Sequence, residues 1–137
     1  MAGPGKRSPA IGSNEIESLR AYLSTLRSAP GISVARAEVD LPSVNRGAHL
    51  FTAYGCNKCH QPPYYTSRFS FDAGLEDEAG QKLFNPPSLL GVSQRGPYFH
   101  DSRASNLVDV LTDYNHGQAA ALSSSEVADL VDFLKSL

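Results

Sequence analysis

Cys56-Asn57-Lys58-Cys59-His60 contains both cysteines of the chain, and the rest of the sequence is read outward from it. Two thiols at i and i+3 followed directly by a histidine form the attachment signature of a c-type haem. On one turn of helix both sulfurs project to the same side, where each can add to one vinyl group of a haem. His60, at i+4 from Cys56, falls on that side and reaches the iron. A zinc site would need two further ligands at a matching spacing, and no second cysteine pair or His-x₃₋₅-His exists here. A thioredoxin-like dithiol would need a βαβ context, which the sequence lacks.

A chain of 137 residues fits one haem domain with an appendage, and 41% hydrophobic residues suffice for a core that a haem would enlarge. The net charge of −2 is small and no basic run is interleaved with aromatics, so nucleic-acid binding has no electrostatic footing. No apolar run approaches membrane-spanning length. Covalent haem is attached outside the cytoplasm, so the expected location is the periplasm or another exported compartment. The first fourteen residues nevertheless lack the apolar core of a signal peptide, and the chain reads as processed, truncated or cut from something longer.

In order, residues 1–12 read as a mobile tail with two prolines, Pro4 between glycines, beside Lys6 and Arg7. Ser13 or Asn14 caps a first helix that carries Ile16, Leu19, Leu23 and Leu26 at three- and four-residue steps and stops at Ala29-Pro30-Gly31. With the linker after it, this helix fills residues 13–42. A second helix begins near Ser43, places Val44, Ala48, Phe51 and Tyr54 on one stripe, and ends at Gly55. His49 lies off that stripe, as a solvated histidine. Pro62 and Pro63 break any continuation past the motif, Tyr64, Tyr65, Phe69 and Phe71 suit packing at a haem edge, and residues 84–90 run extended around Pro86 and Pro87. A third helix, capped by Ser105, aligns Leu107, Val110, Leu111 and Tyr114 and ends at Asn115-His116-Gly117. The last starts at Ser123 in a capping box with Glu126 and buries Val127, Leu130, Val131, Leu134 and Leu137. No stretch predicts a β-sheet. The fold class is all-α, with residues 43–137 as the haem domain and an extra N-terminal helix.

Ile16 to Leu26 (IESLRAYLSTL) aligns without gaps with Val127 to Leu137 (VADLVDFLKSL), matching four apolar positions and a Tyr/Phe position. The first helix therefore has the form of a closing helix, as if it completed a preceding haem domain.

The sixth position of an iron held by His60 separates electron transfer from reaction with small molecules. Methionine, the usual second ligand, occurs only as Met1. That leaves Tyr114, His116, His100, His49 or a lysine as donors, or an open position. Each has a plain alternative: Tyr114 as a core aromatic with its hydroxyl bonded, and His116 as a helix-end imidazole suited to the macrodipole.

Gly47-Ala48-His49-Leu50-Phe51 leading into the motif, then Asn85-Pro86-Pro87-Ser88-Leu89, Arg95-Gly96-Pro97-Tyr98-Phe99-His100-Asp101 and Leu107 to Tyr114 resemble the C-terminal haem domain of the bacterial dihaem cytochrome c peroxidase and MauG superfamily. The resemblance covers about residues 44–137. It implies a cytochrome c fold around one covalent haem c, attached to Cys56 and Cys59, with His60 as proximal iron ligand. In the peroxidases this haem passes electrons from a donor to the peroxidatic haem of the other domain, and its distal methionine lies seven residues after a leucine equivalent to Leu107. That position is Tyr114, as in the MauG branch, with His116 as the alternative. His100 is implied to support the pocket, with Asp101 orienting it, while Arg95 and Arg103 are candidates for the haem propionates. The expected function is electron transfer within a peroxidase-like dihaem protein, between a redox-protein donor or acceptor and a second haem domain. The rival is direct reaction with peroxide, which needs a displaceable sixth ligand and an acid-base group over the iron.

Overall fold

The structure is a computed structural model that describes residues 11–26, 38–117 and 120–137. The expected tail at 1–12 and linker at 31–40 lie largely outside the described residues. The elements are α1 (Ser13–Thr25), α2 (Leu41–Ala53), a 3₁₀ turn (Cys56–Lys58), β1 (Phe71–Asp72), β2 (Leu83–Phe84), a second 3₁₀ turn (Val92–Gln94), α3 (Leu107–Thr112) and α4 (Ser124–Ser136). The chain is mostly helical, and no described helix is long and apolar enough to cross a membrane.

Helix α2 starts at Leu41, two residues before the expected Ser43, because Asp40 accepts a hydrogen bond from the Ser43 N–H (3.0 Å) and Pro42 fits the first turn, where its missing N–H costs nothing. At its other end Gly55 adopts a left-handed conformation (φ 76°), which turns the chain directly into the cysteine motif. Helix α4 begins as the sequence predicts. The Ser123 Oγ accepts from the Glu126 N–H, and the Glu126 carboxylate accepts from the Ser123 N–H at 2.8 Å.

The packing of α2 on α4 makes the centre of the domain. Phe51 meets Phe133 at 5.2 Å between ring centres, and Tyr65 closes an aromatic triple against both at 5.8 and 6.0 Å. Leu107 and Leu111 of α3, Val92 and the Val127, Leu130, Val131 and Leu134 face of α4 complete the core. Beside it, the buried Asp129 carboxylate accepts from Ser43 Oγ (2.6 Å), Arg46 Nε (2.8 Å) and Arg46 Nη2 (2.7 Å). Three donors compensate a carboxylate taken out of water, and their hydrogen bonds, Arg46 first, hold its pKa below the ordinary value.

Two expectations are corrected. A two-stranded antiparallel sheet exists where none was expected, with Phe71 opposite Phe84 and Asp72 opposite Leu83. Strands of two residues are too short to show a period. The intervening loop closes on Asp77, whose Oδ1 accepts from the Ala79 and Gln81 N–H groups. The third helix is also shorter than its apolar stripe: it is capped by Asn106, not Ser105, and ends at Thr112, leaving Tyr114 beyond it.

Helix α1 buries none of its residues. Ile16, Leu19, Tyr22 and Leu23 are each at least 50% exposed, although their counterparts Val127, Leu130, Phe133 and Leu134 form the buried face of α4.

Candidate functional site

The motif turn is built by backbone bonds from the Cys59 N–H (3.3 Å) and the His60 N–H (2.9 Å) to the Cys56 carbonyl. Both thiols are free, and burial raises the pKa of each. They are neutral thiols rather than standing nucleophiles.

The extended stretch after β2 reaches back over His60. Thr66 Oγ1 donates to the Pro86 carbonyl at 2.6 Å, and Asn85 Nδ2 donates to the carbonyls of Ser67 (2.7 Å) and Phe69 (3.1 Å). This pinning sets the Pro87 carbonyl 3.2 Å from His60 Nδ1, while the Tyr65 carbonyl approaches the same nitrogen at 3.1 Å. Two acceptors around Nδ1 make it the protonated nitrogen and leave the Nε2 lone pair for a metal. Burial lowers the His60 pKa, which favours the neutral imidazole that ligation requires. Periodicity could not have found these two carbonyls, because backbone acceptors carry no side-chain signature; the sequence showed only that the segment runs extended around Pro86 and Pro87.

The candidates for the opposite side separate clearly. Tyr114 is 37% exposed, its hydroxyl donates to the Arg103 carbonyl at 2.8 Å, and its ring meets Phe99 edge-on at 5.2 Å. His116 is turned inward by Asn115, which takes a left-handed conformation (φ 45°) so that the His116 N–H bonds back to the Val110 carbonyl at 3.1 Å. The His116 ring lies 5.3 Å from Phe99 and 6.4 Å from His60, and its Nδ1 is buried with no hydrogen-bond partner among the described residues. Burial, then the neighbouring His60, lower its pKa.

His100 is exposed and stacks on Phe84 at 4.7 Å, apart from the His60–His116 pair. Asp101 pairs with Arg103 instead of orienting His100, and the Arg103 Nη2 also donates to the Glu76 carbonyl (3.2 Å). Arg95 donates to the Ser88 carbonyl. His49 is exposed on α2.

A haem suits this donor set. Two thiols stand three residues apart in one turn with a histidine whose tautomer is fixed by carbonyls, and a second buried imidazole with an orphaned nitrogen lies beside that histidine.

No protein-family profile matches the chain. Among curated proteins it is 31% identical over 118 residues to the methylamine utilization protein MauG of Methylorubrum extorquens, covering 67% of this chain and 33% of that protein. It is 30% identical over 111 residues to cytochrome c551 peroxidase of Nitrosomonas europaea, covering 66% and 33%. A shorter match, 36% over 61 residues, is to hydrazine synthase subunit gamma of Kuenenia stuttgartiensis, covering 41% and 17%. The chain thus spans about a third of the length of MauG and of the peroxidase. Among solved structures, a MauG-like protein associated with microbial copper homeostasis superposes with a TM-score of 0.56 at 20% identity, covering 81% of this chain and 48% of that one, which shows a shared fold.

Proposed function

From a chain that belongs to the MauG and cytochrome c peroxidase superfamily, we propose an electron-transfer domain of the cytochrome c type, carrying one haem c on Cys56 and Cys59 with His60 as its proximal ligand. The observation that carries this reading is the pair of carbonyls, Tyr65 and Pro87, on His60 Nδ1. A metal-ligating histidine needs such a second contact to fix its ring and raise its basicity.

The bound haem supplies a one-electron couple. The chain's part is to hold it. Cys56 and Cys59 fix one edge, each thiol adding across a vinyl double bond with no leaving group. His60 is kept neutral and aimed by the two carbonyls, one of which belongs to Tyr65, a residue held in the aromatic triple with Phe51 and Phe133. Side chains already fixed by packing keep the reorganisation on electron transfer small.

Within the parent protein we place this domain in the periplasm, exchanging electrons with a redox protein and with a second haem domain. Residues 43–137 form the haem domain itself. The exposed stripe of α1 supports the second domain, since its pattern matches the α4 face that closes this one.

Spectra of the haem-loaded ferric and ferrous protein, with and without hydrogen peroxide, test the assignment. Low-spin spectra that peroxide leaves unchanged are expected. A high-spin ferric state consumed by peroxide would replace electron transfer with a peroxidatic role.

A further inference from the structure

We propose that His116 is the second axial ligand of the iron, opposite His60, and that Tyr114, which occupies the sequence position expected for that ligand, instead positions the segment that carries it. The inference rests on the haem reading above and specifies the distal side of that site.

Three observations converge on His116. Its ring stands 6.4 Å from that of His60; a nitrogen about 2 Å from a metal would put its ring centre about 3 Å away, so two imidazoles sharing one metal would stand about 6 Å apart. The 62° between the ring planes is accommodated by rotation about the axis through the metal, which leaves both nitrogens in place. Its Nδ1 is buried with no partner among the described residues, and a buried polar atom with nothing to bond costs about 1–3 kcal/mol. Ligation of the metal through that nitrogen would remove the cost.

Tyr114 is committed elsewhere. Its hydroxyl gives its proton to the Arg103 carbonyl at 2.8 Å. A ligating phenolate has no proton to give, and would face that carbonyl's lone pairs at the same distance. The helix ends at Thr112, so Tyr114 leaves the inward stripe, and the left-handed Asn115 brings His116 in its place. The Tyr114 ring also supports Phe99 edge-on, and Phe99 packs against His116. Phe99 holds φ 69°, a conformation unfavourable for a bulky residue and kept only where the surroundings over-determine it. Arg103 is itself braced by Asp101 and the Glu76 carbonyl, which makes the tether of Tyr114 rigid.

The test uses the chain matured with covalent haem, read by electron paramagnetic resonance and near-infrared magnetic circular dichroism, which distinguish bis-imidazole from imidazole–phenolate ligation. The ferric protein should show the bis-imidazole signature. His116→Ala should turn high-spin and return to low-spin on addition of free imidazole. His116→Met should give a thioether-ligated spectrum, which covers the case in which the alanine variant does not fold. Tyr114→Phe should keep the bis-imidazole signature, while cyanide displaces His116 about tenfold faster, the rate equivalent of one lost hydrogen bond. A phenolate signature in the parent chain, its loss in Tyr114→Phe, or an unaltered spectrum in His116→Ala would overturn the proposal. A chain that matures without thioether-bound haem would instead sink the haem assignment, a failure visible before any ligand is probed.

Discussion

Gly47 lies so close to the backbone of Asp129 that a Cβ on it would stand 2.0 Å from the Asp129 carbonyl oxygen and 2.7 Å from the Phe133 Cβ. Helices α2 and α4 meet at this point because position 47 has no side chain. Gly47→Ala should therefore push the helices apart, at a cost at or above the roughly 1–3 kcal/mol of ordinary overpacking. Urea unfolding of the haem-loaded variant measures it, and an unchanged midpoint would contradict the close approach.

Leu130, the next residue of α4 after Asp129, is 2% exposed and belongs to the buried core cluster. Leu130→Ala should lose about 2–5 kcal/mol, since its neighbours are themselves fixed and collapse into the cavity only in part. A loss under 1 kcal/mol in the same assay would mean that the site relaxes freely.

The Asp129 cluster should make stability depend on acid. Hydrogen bonds from Arg46 and Ser43 depress the folded-state pKa of Asp129, and Ser123 and Tyr54 do the same to Glu126. A depressed carboxylate contributes stability that is present above its unfolded pKa, near 4, and is lost as pH falls through the folded value. Unfolding free energy should fall on acidification below about pH 4, and Asp129→Asn should flatten that fall. An equal slope in the variant would remove Asp129 from the cause.

Thr66→Val should strip the Pro86 carbonyl of its donor and loosen the extended stretch that holds the Pro87 carbonyl on His60. About 1–2 kcal/mol of stability should go with it. The His60 Nδ1 proton, followed by NMR in the haem-loaded protein, should exchange faster with solvent; unaltered exchange would show that the Tyr65 carbonyl alone protects it.

Replacing both Cys56 and Cys59 with Ala should leave haem that extracts into acidified organic solvent, while either single variant keeps one thioether and retains it. Retention in the double variant would refute covalent attachment.

Several features were legible in the sequence because they depend on local pattern. The cysteine motif, the Ser123–Glu126 capping box and the buried face of α4 all follow from spacing. The two-residue strands and the end of α3 were not legible, for different reasons. A ribbon pairing Phe71 with Phe84 has no period to detect. The apolar stripe from Leu107 runs on to Tyr114, yet the hydrogen bond to Arg103 and the turn at Asn115 outweigh it. The sequence reading puts Tyr114 ahead of His116 as distal candidate; the proposal above takes them in the other order.

The contact of Ser43 with Asp129 spans 86 residues of chain. It orders the folding of the domain. The turn from Cys56 to His60 closes within itself, whereas α2 and α4 meet only after the long stretch of chain between them has been drawn shut, so the motif turn forms on local bonds and the core around it on distant ones.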